Sequence, residues 1–173
     1  MIQNVLCFLE ESAEAYPHKT AFADEHTSLT YRRLSDLSMR IGSVLGQKTG
    51  PRRPVPVLAE KNVFTLTAFM GIVRAGCFYV FLDAGQPAER LNRILDTLQA
   101  DLMIADKESL SLAGPVSFSG EILPLEDLMS LPDDALNPGL LASIRRQSTD
   151  TDPLYGIFTS GSTGVPKGVV ASH

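Results

Sequence analysis

The chain has 173 residues, of which 44% are hydrophobic and 20% charged, and a formal net charge of −5 at pH 7. That length suits one domain with a substantial core, and that composition suits a soluble globular protein. The acidic balance argues against a nucleic-acid or anionic-membrane surface, and no apolar run reaches the ~18 residues of a membrane helix. The N-terminus carries Glu10, Glu11 and Glu14 in place of the basic region of a secretory signal, so a cytoplasmic location is expected. Cys7 and Cys77 lie far apart without a C-x-x-C and are expected as two buried thiols in a reducing compartment. His18, His26 and His173 show no metal-ligand spacing.

Ile2, Val5, Leu6, Leu9, Ala13 and Tyr16 recur at spacings of three and four, which predicts an amphipathic helix stopped by Pro17. Residues 20–24 and 28–30 are short strands around the polar turn Glu25-His26-Thr27, a hairpin. Thr30 stands at the N-cap of the next helix, with Leu34, Leu37, Ile41 and Val44 or Leu45 on one face. Arg33 occupies the position where a glutamate would complete a capping box. With Arg32 it opposes the helix dipole, at a cost of ~0.3–1 kcal/mol. Residues 47–54 form a basic loop with Pro and Gly, read as a solvated turn without a binding site.

Val55-Pro56-Val57-Leu58 is the next strand, and its proline favours a strand start or an edge. Asn62 caps the helix carrying Phe64, Ala68, Phe69, Ile72 and Val73, which Gly76 closes. Cys77-Phe78-Tyr79-Val80-Phe81-Leu82 is a continuous apolar strand, the pattern of a parallel sheet covered on both faces. Residues 83–86 make a turn, and Pro87 takes the first helical position before Leu91, Ile94, Leu95 and Leu98. Leu102-Met103-Ile104-Ala105 follows as another buried strand. Residues 74–105 therefore read as strand, helix, strand with a right-handed crossover, and the fold class as α/β, a mostly parallel sheet with flanking helices. Residues 106–120 read as a polar loop, 121–124 as a short strand and 125–129 as at most one helical turn. Residues 131–153 are the most linker-like, interrupted by a short helix at 139–147 that Asn137 caps.

The stretch from Leu154 to Val170 organises the chain. An apolar run ending at Phe158 has the pattern of a buried strand. Thr159, Ser160, Gly161, Ser162, Thr163, Gly164 and Lys167 follow, before a second apolar pair at Val169 and Val170. Gly161 and Gly164 leave backbone N–H groups unobstructed, the four hydroxyls donate, and Lys167 adds a mobile cation, which together suit phosphate oxygens. A solvated hairpin turn is the plainer alternative for such a composition. Counting from Gly161, Pro166 stands where the second glycine of a Walker A loop belongs and Gly168 where its Ser or Thr belongs, so this is not that motif.

Residues 155–169 resemble the phosphate-binding signature Tyr-x-x-Phe-Thr-Ser-Gly-Ser-Thr-Gly-x-Pro-Lys-Gly-Val of the adenylate-forming, AMP-binding superfamily. Its members include acyl- and aryl-CoA synthetases, luciferases, and the amino-acid-activating domains of nonribosomal peptide synthetases. Arg74-Ala75-Gly76, Tyr79-Val80, Leu82-Asp83 and Pro87-Ala88-Glu89-Arg90 are similar to a second family segment, with Phe81 in place of its proline. This second likeness leans toward amino-acid adenylation domains and D-alanine–carrier protein ligases over acyl-CoA synthetases. For Asp83 and Arg90 a turn cap and a solvated helix charge are the expected roles.

The resemblance implies ATP-dependent conversion of a carboxylate to an acyl-adenylate with release of pyrophosphate, then transfer to a thiol of CoA or of a phosphopantetheinyl carrier protein. Thr159, Ser160, Gly161, Ser162, Thr163, Gly164 and Lys167 would hold the ATP phosphates, and Mg²⁺ would bridge them. Residues 1–173 would be the N-terminal portion of the large subdomain, without the adenine-stacking segment, the acidic magnesium-associated position, the ribose-binding aspartate and the C-terminal lid. No catalytic residue or metal ligand is assignable on that reading, His173 receives no role, and the chain alone is expected to be inactive. It is also expected to self-associate, because the strand at 154–159 would lack a pairing neighbour. A truncated paralogue that binds nucleotide or phosphate without turnover, and a pure interaction module, are the alternatives.

Overall fold

The computed structural model of the protein describes residues 4–159 and 166–173. Its helices are α1 (Leu6–Ala15), α2 (Tyr31–Lys48), α3 (Val63–Arg74), α4 (Ala88–Leu98), α5 (Lys107–Ala113), α6 (Leu125–Met129) and α7 (Pro138–Gln147). Its strands are β1 (Thr20–Ala23), β2 (Ser28–Thr30), β3 (Pro54–Leu58), β4 (Phe78–Leu82), β5 (Leu102–Ala105), β6 (Glu121–Pro124), β7 (Pro153–Thr159) and β8 (Lys167–Ser172). A 3-10 turn at Asp133–Ala135 precedes α7. Among the described residues no helix is long and apolar enough to cross a membrane.

Capping side chains set the helix starts. Thr30 Oγ1 accepts from the Arg33 amide at 3.3 Å, Asn62 Oδ1 from the Phe64 and Thr65 amides at 3.0 Å, and Asn137 Oδ1 from the Leu140 amide at 3.0 Å. Each satisfies donors that the first turn of a helix leaves without an intrahelical partner. Gly76, at φ +72°, ends α3 in a conformation that a β-carbon would strain. Asp24 ties the β1–β2 hairpin to α3. The Val63 amide first, and then those of His26 and Thr27, hold its carboxyl below the usual carboxylate range.

The main sheet has the order β6-β5-β3-β4-β7-β8, parallel except for β8, which runs antiparallel to β7. Alternation along the strands separates two cores. Val55, Val57, Leu102 and Ile104 meet Ile41 and Leu45 of α2, Ala68 and Ile72 of α3, and Leu125 and Leu128 of α6. Leu58, Val80, Leu82, Met103 and Ala105 meet Leu91, Ile94 and Leu95 of α4 and Ala113 of α5 on the opposite face. The connections β3–β4 and β6–β7 move one way along the sheet over the first face, and β4–β5 and β5–β6 the other way over the second. The four crossovers therefore share one hand, as twisted parallel strands demand. The expected strand–helix–strand unit is present, with β3 inserted between its two strands.

Several local expectations change. Pro56 lies in an interior strand, not at an edge. Pairing of β3 with β5 is confined to Val57 and Leu58, so Pro56 precedes that ladder, where a missing N–H is tolerated. Pro87 is the N-cap of α4, extended at φ −55° and ψ 135°, and the helix begins at Ala88. The segment expected as a polar loop contains α5. Asp106 starts it, accepting from the Ser109 amide at 2.6 Å while its other oxygen accepts from the Glu60 amide at 2.7 Å. Asp106 followed by Leu110 and Ala113 was the signal for that helix.

The strand β7 is half-exposed, with Ile157 at 51%, because the helix layers centre on β3, β4 and β5. It has neighbours on both sides, and β8 is the edge strand at that end of the sheet, as β6 is at the other. The basic loop is pinned by acids: Arg52, at φ +61°, donates to Asp152 at 2.8 Å, and Arg53 pairs with Asp101 at 3.2 Å. Only Cys77 is buried, and burial pushes its thiol up to about 11. Cys7 is half-buried, its Sγ accepting from Arg145 Nη2 at 2.8 Å.

Candidate phosphate-binding site

Because β3 to β7 run parallel, their carboxyl ends lie at one edge of the sheet, where open α/β sheets bind ligands. The segment following β7 leaves from that edge and returns as β8. Thr159, the last residue of β7, and Lys167, the first of β8, are register partners. Directly opposed residues of an antiparallel pair bring their Cα atoms to roughly 4.5–5.5 Å. The hydroxyl and the ammonium thus share the mouth of the hairpin, and both residues are exposed. Ser160, Gly161, Ser162, Thr163 and Gly164, also singled out from the sequence, lie outside the described residues.

Packing behind the mouth holds the hairpin. Phe158 joins the second core and pairs in register with Gly168, where a β-carbon would approach its ring to 3.2 Å. Gly168 therefore lets an aromatic ring lie across the hairpin. At Gly156 a β-carbon would come within 3.1 Å of Val80, so that glycine lets β7 sit close on β4. On the other face the Tyr155 and Tyr79 rings stack with centroids 5.9 Å apart, and Tyr79 stacks on Phe69 at 4.1 Å.

The turn after β4 approaches the same strand end. Asp83 caps the turn as expected, accepting from the Gly85 amide at 2.9 Å. Arg90 is not a solvated helix charge. It is partly buried, its Nε donating to Gln86 Oε1 at 2.8 Å and its Nη2 to the Phe158 carbonyl at 3.4 Å. Gln86 was not singled out from the sequence: its contact with Arg90 is local, four residues apart, and gains a role only once β7 brings the Phe158 carbonyl to the same guanidinium. Lys61, after β3, lies with its ammonium 5.5 Å from the centre of the Phe81 ring. It borders an apolar groove of about 420 Å³ lined by Val63, Leu66, Phe69 and Phe81.

His173 sits at the far end of β8 from Lys167, where its Nδ1 accepts from the Val5 amide at 3.3 Å. Burial holds its imidazole below the ordinary value against the opposing pull of Asp152. It is a tie between β8 and the start of α1. Among the described residues no group of three His, Cys, Asp or Glu side chains could hold a metal ion. The described site residues are one hydroxyl and one cation, a donor set suited to phosphate oxygens and one that offers no base or thiol nucleophile.

Known proteins are similar to this chain over nearly its whole length. The description "AMP-binding enzyme" belongs to the family that matches residues 9–173. Surfactin synthase subunit 1 of Bacillus subtilis is 38% identical over 165 residues, which is 95% of this chain and 4% of that protein. The N-terminal subdomain of NpsA from Klebsiella oxytoca, in complex with 3-hydroxybenzoyl-AMSN, has a TM-score of 0.81 at 19% identity, covering 100% of this chain and 42% of that one. The nonribosomal peptide synthetase FmoA3 in its AMPPNP-bound form has a TM-score of 0.79 at 27% identity, covering 95% of this chain and 17% of that one. With nearly its whole length matched and its sheet shared with N-terminal parts of adenylate-forming enzymes, this chain belongs to the AMP-binding enzyme family.

Proposed function

We propose that a protein containing this chain uses ATP to convert a carboxylate, an amino acid in preference to a fatty acid, into an acyl-adenylate with release of pyrophosphate. The acyl group then passes to a thiol, either of CoA or of a phosphopantetheinyl carrier protein. The observation that carries this reading is the pairing of Thr159 with Lys167 at the mouth of a hairpin on the carboxyl edge of the sheet. Binding of AMPPNP by FmoA3 supports a nucleotide there. The preference for an amino acid rests on Tyr79, Val80, Leu82, Asp83 and Pro87 to Arg90, and on the likeness to surfactin synthase. When bound, Mg²⁺ neutralises charge on the phosphates. The described residues at the hairpin mouth supply it no carboxylate ligand, so this chain's part is to place the phosphates, Lys167 countering their charge and Thr159 donating a hydrogen bond.

The test is exchange of labelled pyrophosphate into ATP, scanned over amino acids and fatty acids with Mg²⁺ present. A whole adenylation domain carrying residues 1–173 is expected to show exchange that depends on an amino acid. The 173-residue chain alone is expected to show none. Exchange by the short chain would sink the reading of it as a part-site, and a preference for fatty acids would overturn the substrate class alone.

The chain alone is also expected to self-associate through β8. That strand is one of the two edge strands of the sheet, and Val169 and Val170 within it and Ile157 on β7 are each more than half exposed. Light scattering is expected to give a mass that rises with concentration, and a constant monomer mass would count against it.

A further inference from the structure

Pairing of β4 with β7 is made at Tyr79–Tyr155 and Val80–Gly156, so Phe158 lies beyond the last paired position on that side. There the Phe158 carbonyl takes a hydrogen bond from Arg90 Nη2 at 3.4 Å, across 68 positions of sequence. Gln86 Oε1 receives Arg90 Nε at 2.8 Å and so fixes the plane of the guanidinium. The contact is a charge-assisted one, made where both partners are partly buried. Folding of α4 does not call for it, because Leu91, Ile94 and Leu95 already anchor that helix in the core.

The residue after Phe158 is Thr159, and the residues opposite these two are Gly168 and Lys167. The Phe158 ring is itself confined by the core on one side and by Gly168 on the other. A pull on the Phe158 carbonyl therefore sets where the end of β7 points and, through the register, where Lys167 starts.

We propose that Arg90, oriented by Gln86, is a positioning residue for Thr159 and Lys167. It acts through the backbone of Phe158 and does not touch the phosphates. This rests on the phosphate-binding reading given above, and it assigns a role to two residues that stand outside the loop.

The test combines two measurements on Arg90→Ala, Arg90→Lys and Gln86→Leu. Amide hydrogen exchange on the 173-residue chain reports the position of the strand ends without any need for activity. Faster exchange is expected at Phe158, Thr159, Lys167 and Gly168 in Arg90→Ala, with β5 unchanged. A smaller change at the same amides is expected in Gln86→Leu, and partial recovery in Arg90→Lys, which keeps a donor. In a whole adenylation domain carrying the segment, Arg90→Ala is expected to raise KM for ATP about tenfold while KM for the carboxylate stays put. Wild-type exchange at those amides in Arg90→Ala would overturn the proposal, as would an unchanged KM for ATP. If the wild-type domain shows no ATP exchange, the phosphate reading fails, and the amide measurement alone decides Arg90. If Arg90→Ala fails to fold, Gln86→Leu and Arg90→Lys decide it by the same amides.

Discussion

In a whole adenylation domain carrying residues 1–173, replacing Lys167 with alanine is expected to lower ATP-dependent pyrophosphate exchange by roughly ten- to hundredfold, the loss that follows removal of one charge-assisted hydrogen bond to a phosphate. The lysine is exposed and stands at the first position of an outer strand, so its truncation is expected to leave the fold as it was. Loss of exchange with an unaltered circular dichroism spectrum and unfolding midpoint would place the effect on the reaction. A Lys167→Ala variant with wild-type exchange would remove the phosphate-binding role from this side chain. Thr159→Ala offers a graded comparison, since it removes a neutral donor and is expected to cost less than the cation does.

Gly71→Ala is expected to destabilise the chain by about 1–3 kcal/mol, although alanine is the better helix former by roughly 1 kcal/mol. The reason is the contact between α2 and α3. A β-carbon at Gly71 would lie 2.6 Å from Ile41 Cβ, and one at Gly42 would lie 2.6 Å from Arg74 Cβ. Neither obstacle is the end of a flexible side chain, so the two helices would have to separate. Ile41 and Ile72 are both fully buried in the core that the separation would open. Gly139 in α7 is the matched control, since a β-carbon there meets only the Asn137 side chain at 3.6 Å. Gly139→Ala is accordingly expected to stabilise by up to about 1 kcal/mol. Urea unfolding of both variants separates the two effects, and equal shifts of the same sign would show that helix propensity alone governs both positions.

The parts of this protein legible in its sequence are those governed by neighbours in the chain. Thr30, Asn62 and Asn137 announced helix starts because a cap needs only a short polar side chain and the amides two or three residues ahead. The runs at 77–82 and 102–105 announced buried strands because period-two alternation had disappeared from them. The residues from Thr159 to Lys167 carry the proposed phosphate reading on composition, hydroxyls, glycines and one cation together, and of these the structure adds the register pairing of Thr159 with Lys167.

What the sequence left open depends on residues that meet only after folding. Nothing local places β3 between β4 and β5, and that order alone makes Pro56 an interior residue. Asp106 caps α5 through the local Ser109 amide, a signal its neighbours carried, while the bond its other oxygen accepts from the Glu60 amide exists only in the fold. The outward run of β7 looked buried because hydrophobicity records what a strand can cover, while its cover depends on where the helices end. Arg90 and Phe158 are separated by 68 positions, and their contact exists only because α4 packs under the sheet and brings its first turn to the end of β7. The sequence by itself determined which residue types stand between Phe158 and Val169, and the tertiary structure decided that Arg90 reaches the Phe158 carbonyl, because a hydrogen bond is made over about 3 Å and no periodicity encodes that distance across a chain.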